Sequence, residues 1–193
     1  MRTVETLRVH PVLTADRVVV AWVEAHPAAR RAVVAAMVTA GALGRAVPAP
    51  PTVRWSVAAV GALLALAALV DVREHKLPNR LLGAAMVVVF VGVLTATSVH
   101  LISAISGMAL AGGLMLLVRV IRGVGMGDVK MAAVVGASTG AAAVVAAPLA
   151  IAVAAFVAGV CGLLTHRQRL PLGPALWAGW AVSLAAFASG WLS

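Results

Sequence analysis

Of the 193 residues only 6 are acidic, and two of these, Asp71 in LVDVREHKLPN and Asp128 in GMGDVK, stand at the edges of long runs of Ala, Val, Leu and Met. Acids that close to lipid are expensive, which makes them functional candidates by default. Two carboxyls that share a site near neutral pH cannot both ionise, so one keeps its proton. Such a couple provides a base to activate water and an acid to donate to a scissile carbonyl oxygen: hydrolysis without metal or covalent intermediate. Gly125 and Gly127 frame the second acid. Lacking Cβ, they permit positive φ and let an extended substrate backbone come close.

Plainer roles exist for each residue. The glycines can simply turn the chain while Asp128 caps the next helix. Asp71 can pair with Arg73, Lys76 or Arg80 at an interface. Glu74, three residues on and on the same helical face, substitutes for Asp71 if that residue is bland. Lys130, two positions from Asp128, does not face it on a helix and reads as a group for a lipid phosphate or an acidic side chain of a substrate.

Other patterns are weaker. GASTG at 136–140 matches GxSxG, but a nucleophile elbow needs a strand-to-helix turn and Ser138 falls midway along an apolar run; the same residues spell GxxxG, a helix-packing surface. Gly123-x-Gly125 has Asp128 where a dinucleotide fingerprint needs its third glycine. His75 has no second His or Cys at metal spacing, and the single Cys161 excludes both a disulfide framework and a paired-cysteine zinc module. No metal and no cofactor is expected. Trp55, Trp177, Trp180 and Trp191 fall toward the ends of apolar runs, as interfacial anchors do. Asn79 is placed to cap a helix.

The elements that must hold the carboxylates are set by composition. The chain is 63% hydrophobic and 11% charged, with a mean hydropathy of +1.06, against roughly 45–50% and 25% in an ordinary soluble domain. An all-α, polytopic membrane helix bundle follows. A bilayer core needs roughly 20 apolar residues per helix, and six runs qualify or nearly do: 53–70, 81–97, 100–118, 129–147, 149–165 and 172–192. A seventh, 32–47, is short and contains Arg45. Residues 1–31 form an N-terminal extension with an amphipathic helix around 16–31, and no cleaved leader is expected, because the apolar run 18–23 is shorter than a signal-peptide core. Residues 32–193 form the membrane domain.

Basic residues accumulate on cytoplasmic loops. Arg73, Lys76 and Arg80, then Arg119, Arg122 and Lys130, then Arg167 and Arg169 occupy alternate connections, while 96–99 and 147–148 carry none. With a seventh span, Arg2, Arg8, Arg17, Arg30 and Arg31 join them, so that 13 of the 15 basic residues share the cytoplasmic side and Pro48-Ala-Pro-Pro51 is an outer turn. Both aspartates lie on that same side. The net charge of +9 is scattered between apolar spans without a basic stripe, which argues against nucleic acid and for anionic membrane lipid as a partner.

Taken together, LVDVREHKLPN at 69–79, GMGDVKMAAVVGA at 125–137 and LPLGPALWAGW at 170–180 resemble, in order, three motifs of the type IV prepilin peptidase family, membrane aspartyl proteases of the GxGD class. The resemblance implies Asp71 and Asp128 as the catalytic pair. It implies cleavage, at the cytoplasmic face of a bacterial inner membrane, of the short basic leader of a pilin-like precursor, after a Gly. Gly125, Gly127, Lys130, Lys76 and Pro78 are read as the residues around the substrate. Larger members carry a four-cysteine zinc insert linked to N-methylation; with one cysteine, this chain is expected to be a peptidase without methyltransferase activity. The rival reading is a transporter or assembly scaffold that uses the two aspartates for proton coupling or salt bridges.

Overall fold

The computed structural model describes residues 27–122, 124–165 and 170–191. Expectations resting on residues 1–26, on Gly123 and on residues 166–169, Arg167 and Arg169 included, lie outside the described residues. The chain divides into two compact units, residues 1–32 and 33–193; among the described residues the first contributes only the opening turns of one helix.

Seven helices are described, and no strand occurs among the described residues. They are α1 (Pro27–Ala46), α2 (Pro51–Glu74), α3 (Asn79–Leu94), α4 (Ser98–Arg122), α5 (Met126–Ala142), α6 (Ala146–Thr165) and α7 (Gly173–Ala188). Three of them, α2, α4 and α6, are long and apolar enough to cross a bilayer. Helices α3 and α7 are shorter apolar helices, trimmed relative to the expected spans, and α5 has 17 residues. Each short helix packs on a longer one: α3 on α2, α5 on α4, α7 on α6. In lipid that is how a short helix keeps its ends covered, since all backbone groups must be satisfied within protein.

Prolines and β-turn-like connections punctuate the chain as the sequence suggests. Pro51 occupies the first turn of α2, where its missing N–H is one no helix would use. Pro78 is the N-cap of α3. Asn79 therefore does not cap: it is the first helical residue, and its Oδ1 instead accepts a 3.0 Å bond from the Lys130 ammonium on α5.

Close packing depends on small residues, as expected where lipid supplies no hydrophobic drive between helices. A methyl placed on Gly136 would collide with the Gly107 carbonyl, and one on Gly140 would lie 2.6 Å from the Ser103 carbonyl. The GxxxG pair on α5 thus seats against α4, and His100 Nδ1 lies 2.9 Å from the Ala141 carbonyl across the same seam. Ser138 is buried on this helix, its hydroxyl accepting the Trp180 indole N–H at 3.2 Å. Trp177 donates to the Gly61 carbonyl at 3.0 Å. Trp180 is a correction to the interfacial assignment: it has no exposed surface, and its indole N–H has a partner inside the bundle, where an unpartnered one would be costly; Trp177 is half-buried. Trp55 and Trp191 are exposed, as interfacial anchors are.

Candidate active site

Helix α2 buries a stripe of Val53, Val57, Val60, Leu64, Ala67 and Ala68, the three-to-four spacing of one helical face. Asp71 is the next position on that stripe and is only 5% exposed. The helix ends because His75 adopts a left-handed conformation, φ 50 and ψ 34, and donates its N–H to the Asp71 carbonyl at 2.9 Å. Histidine is among the few non-glycine residues that visit this region readily. Glu74 and His75 are exposed, so the acid turned inward is Asp71.

One element remote in sequence fixes this carboxylate. The N–H of Gly173, first residue of α7, donates to Asp71 Oδ2 at 2.8 Å. Helix N-termini carry free amides and partial positive charge, which suits a carboxylate. A methyl at position 173 would sit 2.9 Å from that oxygen and 3.0 Å from the Ala68 Cα, so only glycine brings the amide this close. The Pro171-Leu-Gly-Pro174 segment therefore positions Asp71. The motif was visible in the sequence; its partner was not.

Asp128 is held differently. Gly125 is the N-cap of α5 and Asp128 lies in the first turn, where the free amides and positive end of the helix suit an acid. Arg119 Nη1 donates to the Val124 carbonyl at 3.1 Å, tying the approach to this turn back onto α4. The expected positive φ at the glycines is not found: Gly125 has φ −62, and the one positive-φ glycine among the described residues is Gly190. An N-cap needs extended backbone and the next positions are helical, so glycine serves here for room. A methyl on Gly125 would press on Asp128 Oδ2 at 3.0 Å, and one on Gly127 would meet Leu77 Cβ at 3.1 Å.

The two carboxylates line one open cavity of about 390 Å³, together with His75, Lys76, Leu77, Asn79, Gly125, Met126, Gly127 and Lys130, and they are near enough for their charges to act on one another. The structure thus gathers Asp71, Asp128, Gly125, Gly127, Lys130 and Lys76 at one place; Pro78 and Glu74 are not on its wall. Among the described residues no three His, Cys, Asp or Glu side chains gather as a metal site.

The model of the type IV leader peptidase family matches residues 58–163, a stretch that includes both aspartates. The chain belongs to that family. No curated protein and no solved structure matches it. As a type IV leader peptidase family member with a helical bundle of apolar spans, it is a membrane protease, in line with the resemblance drawn from the three motifs. The family match ends before Gly173, so the contact that anchors Asp71 comes from outside the matched region. A second cavity, about 300 Å³, lies between α3 and α5; Asn79 and Lys130 border both, and Leu82, Gly83, Met86, Ala133 and Val134 line the rest.

Proposed function

We propose that this leader peptidase is an aspartyl endopeptidase in which a water between Asp71 and Asp128 attacks the scissile carbonyl of a pilin-like precursor at the cytoplasmic face. The observation that carries the reading is the shared cavity with its two carboxylates, Asp71 accepting the amide that opens α7 and Asp128 standing in the first turn of α5. One carboxylate takes a proton from water as it attacks; the other, protonated, donates to the carbonyl oxygen, and the roles reverse as the amine leaves. Fixed acids in a site of this kind favour the transition state because no reorganisation is needed at the moment of reaction.

The exposed Lys76 and Lys130 on the cavity wall suit acidic groups on the substrate, and the room at Gly125 and Gly127 suits an extended chain. The apolar second cavity fits the hydrophobic segment that follows the leader, with the scissile bond between the aspartates. The clustering of basic residues around the site supports a cytoplasmic orientation in the bacterial inner membrane.

Purified protein with a pilin-like precursor tests the reading. Asp71→Asn and Asp128→Asn should each lower the cleavage rate by about 10²- to 10⁴-fold, the usual contribution of a general acid or base. Undiminished cleavage by either folded variant refutes the pair. The transport reading expects a proton flux in liposomes and no proteolysis.

A further inference from the structure

From Val33 onward, the described acids, lysines and arginines lie at or beside the helix ends that carry the aspartate cavity, with two exceptions, Arg45 and Arg54. These stand at the opposite end, near the C-terminus of α1 and in the first turn of α2. The other connections at that end, residues 95–97 and 143–145, carry no charge. Positive side chains are disfavoured at one of the two membrane surfaces, so a pair of them with no acid nearby among the described residues calls for a counterion.

Both arginines line one cavity of about 150 Å³, with Gly41, Gly44, Pro51, Trp55 and Ala58. Gly41 leaves it open: a methyl there would touch nothing within 4 Å. Arg54 Nε donates to the Ala49 carbonyl at 2.7 Å, which ties its stem in place while its remaining N–H donors stay available. Arg45 has no protein partner among the described residues. The N-terminus of α2 has no side-chain cap, so the positive end of its dipole adds to the same cavity. Trp55 is 71% exposed beside it, as befits an indole at headgroup depth.

We infer that this cavity binds a phosphate group, that of an anionic phospholipid or a free phosphate, between the Arg45 and Arg54 guanidinium groups at the start of α2. Planar guanidinium forks match phosphate oxygens in pairs, and the cavity is small enough to hold such a group without a large attached polar body. The site lies at the far end of the bundle from the aspartates and does not depend on the proteolytic reading.

Native mass spectrometry of the full-length protein in detergent tests it, with phosphatidylglycerol, phosphatidylcholine and inorganic phosphate as separate probes. Saturable phosphatidylglycerol binding is expected, stronger than that of phosphatidylcholine. Arg45→Gln and Arg54→Gln should each weaken it about fivefold, as the loss of one basic residue near a lipid surface does, and Arg80→Gln at the other end should not. Gly41→Leu, which fills the cavity without removing charge, should weaken it too, and Arg54→Lys should retain most of it. Saturation by inorganic phosphate with the same dependence on both arginines makes a free anion the occupant and upholds the site. Binding that ignores both arginines and Gly41, or no saturable binding of any probe, overturns it.

Discussion

The Gly173 amide donates to the Asp71 carboxylate at 2.8 Å across 102 residues of chain, so the last described helix of the bundle positions an acid at the end of the second. The approach is possible because position 173 has no side chain. In Gly173→Ala the methyl must displace either Asp71 or the start of α7. Misplacing a reacting group by about 1 Å can lower a rate roughly 10²-fold, and overpacking at a buried point costs about 1–3 kcal/mol. The expected outcome is a fall of that order in kcat with KM little changed and the protein still folded in detergent. A change in KM alone would show that Gly173 touches substrate rather than orienting Asp71.

Ser138 offers a control on the chemistry. Its hydroxyl accepts the buried Trp180 N–H, so Ser138→Ala leaves that donor unpaired and should lower stability by about 1–3 kcal/mol. Cleavage per folded molecule should be unchanged. Thermal melting and initial rates measured on the same sample separate the two effects, and abolished cleavage in a folded sample would revive the serine reading.

Glycines at the α4–α5 seam and glycines facing outward should answer differently. Gly136→Val drives a side chain at the Gly107 carbonyl and the Ala111 methyl; it should destabilise by about 1–3 kcal/mol or more and, because α5 also carries Asp128, reduce cleavage. Gly159→Ala meets nothing within 4 Å and should stabilise α6 by up to about 1 kcal/mol through helix propensity. Melting followed by tryptophan fluorescence gives both signs in one experiment.

Which features could be read from the sequence follows from how local their causes are. Apolar runs and prolines are local signals, and they gave the helices to within a few residues. The inward face of Asp71 was also legible, since it continues the Val53, Val57, Val60, Leu64 spacing. Partners distant in the chain were not. Nothing in LPLGPALW says that its glycine amide meets Asp71, and nothing near Asn79 says that its carbonyl answers Lys130 rather than its own helix. Trp180 departs for the same reason: its position near the end of a run suggests an interface, while the buried acceptor of its indole N–H lies on another helix.

The groove between α3 and α5 gives the proposed substrate path its own test. Gly83 lines it, and a methyl there would meet nothing within 4 Å, so Gly83→Leu fills the groove without disturbing the bundle and even improves helix propensity. If the hydrophobic segment of the precursor lies in this groove, its binding weakens while the aspartates stay in place, and an interaction lost equally from ground state and transition state raises KM without lowering kcat. A rise in KM of roughly tenfold, equivalent to about 1.4 kcal/mol, is expected. Gly113→Leu, equally open on α4 but away from the groove, should leave KM alone. Should both variants shift KM alike, the effect belongs to the surrounding detergent or lipid and the groove is not the path; should Gly83→Leu leave KM unchanged, the precursor approaches the aspartates from another side of the cavity.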